Sequence, residues 1–358
     1  MLVSRIESAM DIIPISELKR IVNEDRVSAR IHAQIESLNR KDASNGKPFF
    51  EVILADAASK LTLRAWNDTP AFSFCESAEK GAFIEVSGEF SSNAKFGLEA
   101  QKWTARELRA GERDTLLAGS TALREKQAAD FADITRLTTA IADPRLAALC
   151  REFLAEYGER FRRAAAARNN HHARRGGLVE HVAQMMRTAA AICDTYPALN
   201  RDLMIAGVLF HDCGKLWENQ LPADGFAMPY NEHGELLGHI TIGIELVNTL
   251  WRKIAAAPGW HTESEPAAED VRLHLLHLLA AHHGQLEFGS PVVPKTPEAW
   301  ALHYVDNLDA KMEMMTLAYA NAKPLAVRIS ERIWPLPGNP VAPLRHWLPS
   351  PGGTNPAP

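Results

Sequence analysis

Seven residues dispersed over half the chain each fall within, or at the end of, a stretch with helical apolar spacing: His181, His211, Asp212, His239, His282, His283 and Asp306. Neutral imidazole suits transition-type divalent ions, and carboxylate suits harder ones. A mixed set with more members than four ligands points to two ions. Two ions side by side are the usual apparatus for displacing a group on phosphorus. The pattern therefore asks for an all-helical domain whose helices aim their polar ends at one centre.

The apolar stripes support that reading. After Gly176-Gly177, the residues Leu178, Val182, Met185, Ala189 and Ile192 form one stripe, and His181 falls on it. The segment from Leu203 to Phe210 is apolar all round, as expected of a central helix. It delivers His211-Asp212 at its C-terminal end, where Gly214 reads as a helix stop. His239 opens a further helix backed by Ile240, Gly243, Ile244 and Val247. Val271, Leu275 and Leu278 lead to His282, while Leu276 and Leu279 lead to His283, and Gly284 ends that helix. Thr296-Pro297 caps the last one, on which Leu302, Asp306 and Asp309 share a face. Each piece alone has a plain reading: a histidine on an apolar stripe is more often a satisfied core residue, and His274 and His277 are left as such. Four inward histidine-bearing segments with two inward carboxylates are harder to assign to coincidence.

The chain has 358 residues, room for two or three domains, with 46% apolar and 23% charged residues. Its net charge of −5 gives no global attraction to nucleic acid, so any such site must be a local basic patch. Cys75, Cys150, Cys193 and Cys213 are spaced for neither a zinc knuckle nor a disulfide framework. A reduced, cytoplasmic compartment is the expectation. The N-terminal segment does not read as a signal peptide, no apolar run approaches the ~18 residues of a membrane span, and no membrane partner is expected.

The expected organisation is multi-domain: a small all-β barrel of the OB type followed by an all-α helical bundle. Residues 1–15 form an extension. Residues 16–112 carry five short strands: Val27 to Ile35, Phe50 to Leu54, Leu61 to Ala65, Ala82–Glu89 and Phe96–Trp103, the last two joined by Ser91-Ser92-Asn93. A generic five-stranded domain fits the strand count equally well. Residues 113–144 are connecting helices, with Asp143-Pro144 marking a boundary. Residues 145–333 form the helical bundle. The tail, 334–358, holds eight prolines after residue 334 and little with which to build a core.

The residues that carry chemistry match a known pattern. His181, His211-Asp212 and Asp306 resemble the H…HD…D signature of the HD superfamily of metal-dependent phosphohydrolases, and His239 with His282-His283 resembles its two-metal branch. His171-His172-Ala173, Gly176-Gly177-Leu178, Glu180-His181, HDCGK at 211–215, GELLGHI at 234–240, HHGQLEFGSP at 282–291 and TPEAWALHYVDNLDAK at 296–311 are similar to YhaM-type proteins. The resemblance covers roughly residues 16 to 330 and is strongest over 171–311. It implies an N-terminal OB-fold, a C-terminal HD domain, and 3′→5′ exoribonuclease activity that releases nucleoside 5′-monophosphates. Cys213 stands where the family usually has an aliphatic residue, and Arg174-Arg175 where an aromatic is common.

On that footing, His181, His211, Asp212 and Asp306 are assigned to one ion. Asp212 bridges to a second, completed by His239, His282 and His283. The ions are expected to be Mn²⁺, with Co²⁺, Fe²⁺ and Mg²⁺ as alternatives. Lys215 is assigned as a phosphate clamp and Asp309 as an orienting group; a helix-end lysine and an ordinary helix salt bridge are their plain readings. Between Arg160 and Arg175 stand six arginines and no acidic residue. Arg168, Arg174 and Arg175, with His171 and His172, are expected to contact a single strand of RNA, or of DNA, whose binding would be salt-sensitive. Phe49, Trp66, Phe90 and Phe96, with Arg30, Arg40, Lys41 and Arg64, are the barrel's candidates for stacking and backbone contact. Competing readings are a nucleotide or cyclic-dinucleotide phosphohydrolase, a non-catalytic strand-binding protein and a DNA-processing factor. Homo-oligomerisation stays open.

Overall fold

The computed structural model describes residues 11–22, 26–93, 97–168, 172–258, 260 and 263–344. Phe96, His171 and the last part of the proline-rich tail lie outside them.

The N-terminal part is built from five antiparallel strands, β1 (Val27–Asp42), β2 (Pro48–Ala55), β3 (Lys60–Trp66), β4 (Phe83–Asn93) and β5 (Gly97–Glu107), in the order β3-β2-β1-β4-β5. Strand β1 organises this sheet. Its first half pairs with β4 and its second with β2, Gln34 taking part in both ladders. A bulge between Ile35 and Ser37 bends the strand where it changes partner. Alternation puts Ala29, Ile31, Ala33 and Ile35 inside with Val52, Leu54, Leu63, Val86, Phe90 and Trp103. Among the described residues no ladder joins β3 to β5. The seam is instead bridged at one point by the Trp103 indole N–H, which donates to the Arg64 carbonyl at 2.9 Å. The sheet is thus an OB-like, partly open barrel.

Two helices here have no counterpart in the sequence expectations. α1 (Ile15–Ile21) stands where strand texture was expected to begin, and it buries Ile15 and Leu18 against the barrel. α2 (Pro70–Ser77) fills the β3–β4 connection and buries Ala71, Phe72 and Cys75. Both are too short for periodicity to separate them from loops or strands.

The remainder is helical: α3 (Ala110–Ala118), α4 (Thr121–Thr139), α5 (Pro144–Arg163), α6 (Gly177–Thr195), α7 (Arg201–Phe210), α8 (Lys215–Glu218), α9 (Glu232–Ala255), α10 (Ala268–Ala281) and α11 (Pro297–Asn321). A hairpin of β6 (Pro324–Ala326) and β7 (Ile329–Ser330) follows. Helix α7 is central, with Leu203 to Phe210 all buried, as its uniform apolarity requires. Asp143 caps α5 with Pro144 at its first position, and the Thr296 hydroxyl caps α11. Among the described residues no helix is long and apolar enough to cross a membrane.

The two parts are packed together. Phe226, in the loop between α8 and α9, is buried against Ala55 and Ala57 of the sheet domain. Its backbone N–H donates to the Gln34 side chain at 2.6 Å, and Gln34 in turn donates to the Gly81 carbonyl.

Candidate metal centre

The seven expected residues meet. Asp212, one residue beyond the αR turn that ends α7, is fully enclosed and faces two groups of imidazoles. Its Oδ2 lies 3.3 Å from His211 Nε2 and 3.6 Å from His181 Nε2. Its Oδ1 lies 3.5 Å from His239 Nε2 and 3.7 Å from His282 Nε2. On the first side Asp306 Oδ1 comes within 3.4 Å of His181 Nε2, and the two Nε2 atoms of His181 and His211 are 3.2 Å apart. On the second, ligand atoms of His239, His282 and His283 lie within 4.8 Å of one another.

The imidazoles are aimed by their other nitrogens. Nδ1–H of His211 donates to the Val208 carbonyl at 2.9 Å, that of His282 to the Leu279 carbonyl at 2.7 Å, and that of His283 to the Phe288 carbonyl at 2.7 Å. A carbonyl only accepts, so these contacts put the proton on Nδ1 and leave the Nε2 lone pair for the centre. His181 Nδ1 faces Asp309 at 2.7 Å, and His239 Nδ1 faces Glu218 at 2.7 Å. A carboxylate or carbonyl behind each imidazole is how metal-binding histidines are oriented. Glu218 was missed by the sequence expectations. It also receives the His239 backbone N–H at 3.1 Å, and nothing in its spacing distinguishes it from a surface glutamate.

These residues fit divalent metal. Asp212 Oδ1, His239 Nε2 and His282 Nε2 are buried, converge on one another and make no hydrogen bond. Enclosing such atoms without a partner is costly. Donors about 2.0–2.2 Å from a common ion lie roughly 3–3.6 Å from each other, close to the separations seen here. Burial alone would raise the Asp212 carboxyl, but the Lys215 ammonium and the His211 imidazole hold it well below the ordinary carboxylate range. Burial, then the charges of His211 and His283, push His282 well down, which keeps it a neutral donor. Burial also opposes a charge on His181, yet Asp306 and Asp309 raise it to about 9, so its surroundings favour positive charge there.

Local backbone explains why these helices can come so close. Gly214 is not a left-handed stop: its φ is −67°, and it leads into α8. A Cβ on it would stand 1.9 Å from the His239 carbonyl oxygen, so only glycine lets the turn after Asp212 touch α9. Gly238, at φ 68°, breaks α9 so that His239 starts its second segment. Gly284, at φ 78°, stands at the turn beyond His283.

Other expected site residues are placed differently. Lys215 Nζ sits 2.6 Å from Asp212 Oδ2, beside the cage. His172 is buried, not at a mouth, with Nε2 3.0 Å from Asp309. Arg174 is held by Glu180 and Glu313, each at 2.7 Å. Arg175 donates to the carbonyls of Pro222, Ala223 and Gly225. Arg168 donates to those of Glu218, Met228 and Pro229 and lies over the Tyr230 ring. The expectation of a phosphate-facing row is corrected for these three: Arg168 and Arg175 brace the loop from Glu218 to Tyr230, and Arg174 ties α6 to α11 through Glu180 and Glu313. Solvated charge was the premise, and the carbonyls of a distant loop are invisible in local sequence. Cys213 is buried and packs toward Gly243, away from a ligand role. On the barrel, Phe90 is core, whereas Phe49 and the partly exposed Trp66 pair at 4.8 Å.

The HD domain family model matches residues 178–311, the span that contains the whole cage. An OB-like barrel ahead of an HD domain with this His/Asp set defines an HD-domain hydrolase. The 3′-5′ exoribonuclease YhaM of Geobacillus sp. (strain WCH70) is 31% identical over 308 residues, 86% of this chain and 89% of that protein. The chain belongs to the YhaM family. A second family model, TraI_2, described as a helicase, matches residues 114–201. Among solved structures, RecG bound to a three-way DNA junction is similar over 28% of this chain and 13% of its own, at 17% identity and a TM-score of 0.24. A replication factor A related protein from Methanobacterium thermoautotrophicum is similar over 29% of this chain and 94% of its own, at 16% identity and a TM-score of 0.22. At those scores neither likeness bears on function.

Proposed function

We propose that this protein is a divalent-metal-dependent 3′→5′ exonuclease that hydrolyses single-stranded RNA and releases nucleoside 5′-monophosphates. The observation that carries the reading is Asp212 between two imidazole groups, with both carboxylate oxygens turned to different partners. The name of the Geobacillus relative supports the substrate and direction. So does the barrel: the Phe49–Trp66 pair offers a stacking platform, and a tethered module raises the effective concentration of strand.

In this reading His181, His211 and Asp306 would hold one ion and His239, His282 and His283 the other, with Asp212 available to each group. Two such ions, with Mn²⁺ the preferred identity, would supply Lewis acidity toward a phosphoryl oxygen and would acidify a water for attack. The protein's own part is orientation and charge. The Nδ1 contacts keep every imidazole aimed before substrate arrives, so little reorganisation remains. Lys215, buried beside Asp212, provides a fixed positive charge for a phosphate. Asp309 holds His181 and His172 together and acts through them.

The test is end-labelled single-stranded RNA, matched DNA and free nucleotides incubated with Mn²⁺, Co²⁺ or Mg²⁺. The expected result is stepwise shortening of RNA from its 3′ end, slower on DNA, and absent in Asp212→Ala. Hydrolysis of small nucleotides alone would replace this reading with a nucleotide phosphohydrolase. Strand binding without hydrolysis under every metal would make the protein a binding module.

A further inference from the structure

The part of the arginine run that the loop does not consume collects elsewhere. Arg162 and Arg163, at the end of α5, line an open cleft of about 570 Å³ together with Arg124 of α4, and the loop-bound Arg175 stands at its wall. That volume lies in the usual ~300–1,000 Å³ range of small-ligand sites. Besides the loop-bound Arg175, three guanidinium groups line the cleft with one carboxylate, Glu159, which is 81% exposed and 3.6 Å from Arg162. An exposed pair of that length neutralises little. Among the described residues no carboxylate lies within ion-pair distance of Arg163, and its Nε is enclosed without a hydrogen-bond partner. Burial and then the neighbouring Arg163 charge lower Arg175 from its usual value. Like charges gathered around a cavity, with an enclosed donor left over, cost stability unless an anion completes them. The planar fork of arginine matches phosphoryl oxygens in particular.

The cleft has a defined relation to the cage. Helix α6 contributes Val179 to the cleft and His181 to the cage. Two residues apart on a helix means nearly opposite flanks, about a helix diameter (~10 Å) across. We propose that this cleft is a phosphoryl-anion site, and that it holds a backbone phosphate of the strand whose 3′ end reaches the cage. The choice of strand as the phosphate source rests on the function proposed above; the anion chemistry does not.

The experiment uses the full-length protein and a fluorescent single-stranded RNA with phosphorothioate linkages, which resist hydrolysis, titrated at several salt concentrations. Arg162→Glu/Arg163→Glu is expected to weaken binding at least about tenfold near physiological salt. It should also flatten the log–log salt slope by about 1.4, the value for two lost phosphate contacts on a single strand. Arg163→Lys, which keeps the charge and loses the fork, should weaken binding about threefold, and thermal melting confirms that both variants are folded. A nucleoside 5′-monophosphate titrated by calorimetry separates the sources: loss of its binding in the double variant with RNA affinity intact would overturn the strand assignment. Unchanged affinity for both probes would overturn the site itself. If the wild-type protein shortens no RNA yet the double variant still loses strand affinity, the cleft stands and the hydrolytic reading falls.

Discussion

At the residue scale, the site depends as much on what stands behind each imidazole as on the imidazoles themselves. Three of the five backing groups are main-chain carbonyls, so no side chain announces them. Asp309 was legible because it lies one helical turn from Asp306 on the same face. Glu218 was not, because its link to His239 exists only after α9 folds back over α8. Glu218 differs from the carbonyls in being open to substitution. Burial raises its carboxyl, and the His239 contact more than reverses this, so the pair is preformed. Glu218→Gln is expected to weaken divalent-ion binding by about 10- to 100-fold, the usual range for loss of a group that orients a ligand. Calorimetric titration with Mn²⁺ measures it, and an unchanged affinity would remove Glu218 from the site.

At the scale of elements, helices with strong apolar periodicity were readable, and their ends were readable where capping chemistry marks them, as at Asp143-Pro144 and Thr296-Pro297. The short helices α1 and α2 were not, since seven or eight residues hold too few turns for a period. Gly214 shows a subtler failure. Its presence after His211-Asp212 was noticed, but for the wrong reason, because contact and chain reversal both select glycine. The structure separates the two by φ and by the His239 carbonyl. Gly214→Ala must push α9 off the turn, since backbone on both sides cannot yield cheaply. A loss of about 1–3 kcal/mol is expected, in line with overpacked interiors. Differential scanning calorimetry should record a fall of several degrees in Tm, at about 2–4 °C per kcal/mol for a unit of this size. The same variant should bind Mn²⁺ more weakly, because His239 moves with α9.

For the whole molecule, the barrel is joined to the helical part through the loop that the arginines brace. Arg168 and Arg175 hold that loop from the helical side, and Gln34 with the Ala55–Ala57 edge receives Phe226 from the barrel side. The loop begins at Glu218, which orients His239, so the seat of the barrel and one imidazole share a support. Phe226→Ala empties the centre of this contact, at a cost of about 3–5 kcal/mol for a buried phenyl. It should turn one cooperative thermal transition into two, barrel and helical part melting separately. A single unshifted transition would show that the contact couples nothing.

The chemistry was written in residue types at helical spacing, because a ligand must sit on the inward stripe of its helix and that stripe is a local property. The metal-ligand pattern and the five strands were legible in such short-range patterns, whereas the HD-type domain and the choice of an OB-like barrel came from the resemblance to the YhaM family. What the tertiary structure alone decided was direction. Asp212 turns one oxygen to each imidazole group, Glu218 and three carbonyls set the rings, and the arginine run divides into braces and a cleft. Those outcomes depend on which distant backbone atoms arrive opposite each side chain, and long-range approach leaves no periodic trace along the chain.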